Sequence, residues 1–385
     1  MQNFEFHNPT RIIFGGQSIR AISTQIPADA RILILYGGHS AKRNGSLSEV
    51  RQALEGREIY EFGGIEANPT WEALSQAVAF VRENKISFLL AVGGGSVIDG
   101  TKFIAAAAKY SGHTWDILED GGSSVTEALP FGVVLTLPAT GSEMNSAAVI
   151  TRKSTKTKAV LQTPFVFPRF SILDPTKTYT LPARQLANGI VDAFVHVVEQ
   201  YLTWPVEARI QDRFAEGLMQ TLVEIGSKVV NEPAQYDSRA NLMWAASMAL
   251  NGLIGMGVPQ DWTTHYIGHE LTALYEIDHA RTLAIILPSV MDLYRNSKRA
   301  KLLQYATRVW GITEGNENQQ IDSAIQQTRE FFESLGIKTR LSEYGLGQNA
   351  VNAVIEQLIT RGMTKLGEHQ SITPEQSKKI LEASI

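Results

Sequence analysis

Residues 86–105 read ISFLLAVGGGSVIDGTKFIA, and the fold follows from this stretch. The apolar run at 86–92 is strand-like. It breaks into Gly93-Gly94-Gly95-Ser96, and an apolar helical stretch with Phe103, Ile104 and a run of alanines opens behind it. Strand, small-residue turn and helix in that order make the first part of a parallel βαβ unit. Free amides at the turn and the helix N-terminus form an anion site suited to a pyrophosphate. The turn is not the G-x-G-x-x-G fingerprint, because Ile98 stands where the third glycine would be. A tight βα turn that binds nothing has the same local sequence.

The pattern repeats on either side. Residues 31–36 (RILILY) run into Gly37-Gly38, and residues 131–137 (FGVVLTL) run into Pro138 and the Thr140-Gly141-Ser142 turn. Each strand thus ends in small residues at its carboxyl end, where open α/β sheets bind ligands. After about residue 180 the character changes. Pro182 suits a first helical turn with Thr180 as its cap. Ile210, Phe214, Leu218, Leu222, Ile225 and Val229 then form a helical apolar stripe. Ile321, Ile325, Phe332 and Leu335 form a shorter one, and Gly336 is placed to end it. The reading is an α/β dinucleotide-binding domain over residues 1–180 and an all-helical, metal-binding domain over residues 181–385.

Bulk composition narrows the function classes. With 44% hydrophobic and 19% charged residues over 385 positions, the chain is globular and long enough for about two domains. The net charge of -4 is spread without a basic block, so nucleic acid and anionic membranes are not expected partners. No signal-type N-terminus and no apolar run near ~20 residues is present, so a soluble, cytoplasmic protein is expected. The chain has no cysteine, which removes disulfides, thiolate nucleophiles and zinc–thiolate sites. Any metal must be held by His, Asp or Glu.

Such a donor set is present. Asp192 and His196 stand four apart in NGIVDAFVHVVEQ, and His265 and His269 repeat that spacing in DWTTHYIGHE, with His279 ten residues on. An i,i+4 pair projects from one helical face, close enough to share an ion. Three imidazoles and a carboxylate hold zinc or iron(II) without sulfur, and do not distinguish the two. Read singly, each is also at home as a capping, surface or core residue. Tyr294 and Lys298 fit Y-x-x-x-K, but far from any glycine turn, where a chance match is the better account.

GGGSVIDGTK, TLPATGSEMN and the ordered D-x-x-x-H…H-x-x-x-H…H together resemble the iron-containing (group III) alcohol dehydrogenases, over essentially the whole chain. FGGIEANPTWEAL, LANGIVDAFVH, GVPQDWTTHYIGHELTA and LLQYATRVW resemble the family's NADPH-dependent aldehyde reductases. The resemblance implies a dehydroquinate-synthase-like fold and a dimer. It implies metal ligation by Asp192, His196, His265 and His279, with His269 a non-ligand near the nicotinamide. Cofactor contacts fall by the same resemblance on Gly94, Gly95, Ser96, Asp99, Thr136, Thr140, Ser142, Lys158 and Leu181. On residue chemistry alone, Lys158 in RKSTKTK reads as part of an exposed hairpin, and Asp99 with Lys102 either as serving the nicotinamide side or as a solvated first-turn pair.

Cofactor choice is read after the first strand of 31–36. NAD-preferring enzymes carry an acid there, which bonds the ribose 2′-hydroxyl and repels a 2′-phosphate. This chain reads YGGHSAKR at 36–43, without an acid. Gly37 and Gly38 amides, the Ser40 hydroxyl and a nearby cation suit a phosphate, with His39 either adding a donor or crowding it. The expected activity is metal-dependent reduction of small, mainly aliphatic aldehydes with NADP(H), and the reverse, with Trp262 walling a small apolar pocket. An NAD-dependent polyol dehydrogenase lacks its acid here. A dehydroquinate-synthase-like lyase would want Lys and Arg around its metal helices, and residues 186–204 and 254–280 contain none. A nucleotide-binding regulatory protein with a dead site would not need the intact donor set.

Overall fold

The computed structural model describes residues 1–38 and 40–385; His39, which could add a donor to a bound phosphate or crowd it, lies outside them. Contacts divide the chain into two compact units. One comprises His7–Pro182 with Ala234–Ser247, and the other Met1–Phe6, Ala183–Pro233 and Met248–Ile385. Neither unit is a single segment. Residues 234–247 join the α/β unit because Met243 is buried in its core and Trp244 packs edge-on against Phe14.

The α/β unit holds strands β1 (Arg11–Phe14), β2 (Ile32–Tyr36), β3 (Ile59–Phe62), β4 (Phe88–Gly94), β5 (Phe131–Leu137), β6 (Ala147–Arg152), β7 (Thr157–Gln162) and β8 (Phe170–Leu173). Six form a parallel sheet in the order β1-β8-β5-β4-β2-β3, while β6 and β7 make a separate antiparallel hairpin. β2, β4 and β5 are the strands read from the apolar runs. Alternation along each strand sends side chains to opposite faces. Leu33, Leu35, Leu89, Ala91, Val133 and Leu135 enter one core, and Ile32, Ile34, Leu90, Val92, Val134 and Ile172 the other. Both faces are covered, which is why the central strands are continuously apolar. The Gly95–Lys109 helix covers the first face, its Ala105, Ala106 and Ala107 allowing close approach to the sheet.

The second unit is built from helices. Ala183–Tyr201 begins directly after Pro182, and Glu317–Ser334 is followed by Gly336 at φ +76°, as a helix stop requires. Phe194 of the first packs against Phe331 and Phe332 of the second in an aromatic cluster.

The Arg209–Asn231 helix forms as expected, but its buried face differs from the expected stripe. It runs through Gln211, Ala215, Met219, Leu222, Gly226 and Val229, while Ile210 and Phe214 are exposed. Each i,i+4 step advances about 40° beyond a full turn, so three such steps back from Leu222 walk off the buried face. The two readings are separable by stability. Met219→Ala, at a wholly buried position, should cost about 2–5 kcal/mol. Ile210→Ser, at a site 66% exposed, should stay within about 0.5 kcal/mol. Denaturant unfolding of the two variants is the check; equal losses would restore the original stripe.

Candidate functional site

In the α/β unit the strand order reverses between β2 and β4: from β2 the chain goes first to β3 on one side, then to β4 on the other. Ligands bind at the carboxyl ends of strands flanking such a switch. Tyr36 and Val92 pair side by side there, so Gly37-Gly38 and Gly93-Gly94-Gly95 emerge next to one another. A Cβ on Gly95 would lie 2.5 Å from Thr140 Oγ1, and one on Gly94 3.0 Å from Leu137 Cβ. Gly38 has nothing within 4 Å of its Cβ position. The bare turns therefore pack tightly against protein at 94–95 and open onto free space at Gly38. Ser96 is half-buried in the first turn of the Gly95–Lys109 helix, and Ser40 opens the short Ser40–Arg43 helix.

Asp99 and Lys102 are not a solvated pair. Asp99 accepts from Ser142 Oγ at 2.6 Å and from the Val149 amide at 2.9 Å. Wholly buried Lys102 donates to Ser142 Oγ, Asn145 Oδ1 and the Ala147 carbonyl, each at 2.8 Å. Burial pulls the Lys102 ammonium down to about 8 and pushes the Asp99 carboxyl up, the two opposing each other's shift. This network braces the 140–145 turn, where Thr140 Oγ1 also accepts from the Ser142 amide at 3.2 Å. Thr136 is buried near the end of β5, and Leu181 donates its amide to the Thr178 carbonyl at 3.1 Å. Lys158 lies on a hairpin, as its polar run suggested, yet it is buried, with Nζ 2.8 Å from Asn68 Oδ1. Buried Glu143 went unread in TLPATGSEMN; it accepts from Ser247 and ties residues 234–247 to this unit.

The helical unit gathers the donor set. Asp192 and His196 project from the Ala183–Tyr201 helix, His265 from Thr263–Tyr275, and His279 opens His279–Leu293. Donor atoms of Asp192, His265 and His279 all lie within 4.8 Å of one another. His196 stands beside them, its Nε2 3.9 Å from Asp192 Oδ1 and its ring stacked on His265 with centroids 4.6 Å apart. Burial pulls His196 down to about 4 and His265 to about 3, so both imidazoles are neutral. His196 Nδ1 and His265 Nε2 are buried without a hydrogen-bond partner. A buried ring nitrogen without a partner is costly as it stands, and His265, grouped with Asp192 and His279, offers one that suits a divalent cation. Trp262 stands edge-on to His265, ring centroids 5.3 Å apart. His269, one turn beyond His265, has its ring 4.7 Å from that of His279.

Two carboxylates that the spacing motifs did not single out hold this geometry. Glu199 Oε1 accepts from the Thr264 amide at 2.6 Å, and Oε2 is hydrogen-bonded to His265 Nδ1. Burial pushes the Glu199 carboxyl well above its ordinary range. Asp278, just before His279, accepts from Arg184 Nε at 2.7 Å and Asn188 Nδ2 at 2.8 Å. The available signal was Glu199 lying seven residues past Asp192, on the same helical face. Lys298 of the Y-x-x-x-K match is a buried tie, donating to the Leu202 carbonyl and Asp261 at 2.6 Å and to Glu368 at 3.1 Å.

Comparison with known proteins accounts for both units. The family model for iron-containing alcohol dehydrogenase matches residues 9–175, and that for the C-terminal part of the Fe-containing alcohol dehydrogenase family matches residues 186–385. Over the full length of both chains the protein is 58% identical to the NADPH-dependent aldehyde reductase YqhD of Escherichia coli K12. It is 40% identical, again over both full lengths, to a probable NADH-dependent butanol dehydrogenase of Bacillus subtilis. The crystal structure of E. coli YqhD superposes with a TM-score of 0.98, covering 100% of this chain and 99% of that one. NADH-dependent butanol dehydrogenase A of Thermotoga maritima, 34% identical, superposes at 0.95 with the same coverage. With both units matched and full-length identity this high, the chain belongs to the iron-containing alcohol dehydrogenase family.

Proposed function

We propose that the protein reduces small, mainly aliphatic aldehydes to alcohols with NADPH and one divalent metal, zinc or iron(II), and catalyses the reverse oxidation. The observation that carries this reading is the cluster of Asp192, His265 and half-buried His279 with His196 beside it, in a chain 58% identical to an NADPH-dependent aldehyde reductase. When bound, the metal supplies a Lewis acid for a carbonyl oxygen and the nicotinamide supplies the hydride.

Asp192, His196, His265 and His279 would hold the metal. Asp192 contributes the single negative charge, so the set leaves a net positive charge for an oxygen. Burial keeps His196 and His265 neutral and their lone pairs available. Trp262 contributes an apolar surface suited to a short alkyl chain and unfavourable to water. The proton that the product alcohol needs is assigned to water, the cofactor ribose or His269, whose ring lies 4.7 Å from that of His279.

The Gly94, Gly95 and Ser96 amides at the helix N-terminus are assigned to the pyrophosphate. Thr136, Thr140, Ser142, Lys158 and Leu181 are assigned to the rest of the nucleotide, and Asp99 acts by holding Ser142 in place. Family membership leaves NADPH or NADH open, since relatives near 40% identity are named for NADH. The choice is assigned to Gly37, Gly38 and Ser40 after β2, where no acid stands and exposed Lys42 lies over the Tyr36 ring at 5.4 Å. Assembly as a homodimer and a cytoplasmic location belong to the same proposal. No helix among the described residues is long and apolar enough to cross a membrane.

Butanal reduction followed at the nicotinamide absorbance should run with NADPH in preference to NADH. It should be lost on chelation and regained with zinc or iron(II). Equal catalytic efficiency with NADH would remove the cofactor assignment, and chelator-insensitive turnover the metal. His279→Ala should lose both bound metal and turnover; full activity in a metal-free variant would refute its role. Gly95→Ala places a methyl against Thr140 and should cost about 1.4 kcal/mol or more of nucleotide binding, roughly tenfold in the NADPH KM. Its metal content should be unchanged, which separates nucleotide binding from metal binding.

A further inference from the structure

We infer that Glu199 is a positioning residue for the metal centre: its one carboxylate caps the Thr263–Tyr275 helix and sets the tautomer of His265 that can ligate. The inference rests on the metal reading above and adds a residue to it.

Geometry and donor chemistry carry the argument. The first amides of a helix have no partner within it. Trp262, at the cap position here, offers no side-chain acceptor, and Glu199 Oε1 takes the Thr264 amide instead, at 2.6 Å from another helix. The second oxygen meets His265 Nδ1. A neutral imidazole has one N–H and one lone pair, and of the two His265 nitrogens only Nδ1 has an acceptor oxygen beside it, Glu199 Oε2. Nδ1 therefore carries the proton, and the lone pair lies on Nε2. That nitrogen is buried with no hydrogen-bond partner. The opposite tautomer would bury an Nε2–H with no acceptor. Glu199 shares the Ala183–Tyr201 helix with Asp192 and His196, so a single carboxylate locks the orientation of one ligand helix relative to the other.

Glu199→Gln separates the two roles. The glutamine carbonyl can still accept the Thr264 amide, but its NH2 group would face His265 Nδ1 and favour the Nε2–H form, which cannot ligate. The apo variant should melt within a few degrees of apo wild type. Its zinc affinity, measured by competition with a chromogenic chelator, should fall about 10–100-fold. Wild-type zinc affinity in Glu199→Gln would overturn the proposal, leaving Glu199 a helix cap and no more. A second measurement needs no variant: nitrogen-15 NMR of histidine-labelled apo wild type should show His265 protonated at Nδ1. Protonation at Nε2 would overturn the proposal even if the variant failed to fold. Wild-type protein that takes up no zinc and no iron(II) would overturn the metal reading itself. That failure is distinguishable, because the tautomer is read on the apo protein.

Discussion

Three imidazoles and a carboxylate gathered in segments 186–204 and 254–280, which hold no lysine or arginine, with His196 and His265 neutral, is a costly arrangement. Nitrogens such as His196 Nδ1 and His265 Nε2 have left water and found no protein partner in exchange. Apolar packing of the helices holds the set together against that cost, with Ile190, Phe194, Ile267 and Leu283 all wholly buried around it. Carboxylates from adjoining positions do the aiming. Glu199 grips the start of the helix that carries His265, and Asp278 ties the start of the helix that carries His279 back to Arg184 and Asn188. A cation that accepts the orphaned lone pairs turns the arrangement from a liability into a binding site.

The α/β unit meets a different constraint. A parallel sheet buried on both faces leaves only its strand ends for chemistry, and the strand order decides which ends face open space. Here β2 and β4 flank the reversal, which sets two glycine turns side by side. Rigid support lies directly behind them. Lys102 and Asp99, opposite charges driven into the interior, share Ser142 between them and fix the turn that crowds against Gly95. Such a pair costs desolvation, and its return is a turn held in one conformation, the pre-organisation a nucleotide site needs.

Elements governed by a local rule are legible in the chain. Three apolar runs became β2, β4 and β5, and the helical second half followed its periodicity. The stripe on Arg209–Asn231 was misplaced at its N-terminal end because a chain of i,i+4 steps drifts around the helix, leaving Ile210 and Phe214 in solvent. Spacing leaves Asp99 with Lys102 open between a nicotinamide-side role and a solvated first-turn pair. Their real partners, Ser142, Asn145 and Ala147, lie some forty residues along the chain and carry no recognisable spacing.

What the sequence determined by itself was therefore the alternation of strand, small-residue turn and helix, the absence of sulfur ligands, and the spacing that lets Asp192 and His196 share a helical face. These are consequences of backbone periodicity and side-chain type, and both are local. Only the tertiary structure decided that β2 and β4 would be neighbours, that Lys158 would be buried beside Asn68, and that Glu199 would meet a histidine 66 positions away. Each of those depends on how elements pack. Packing free energy is spread over many weak, non-directional apolar contacts that no short motif records.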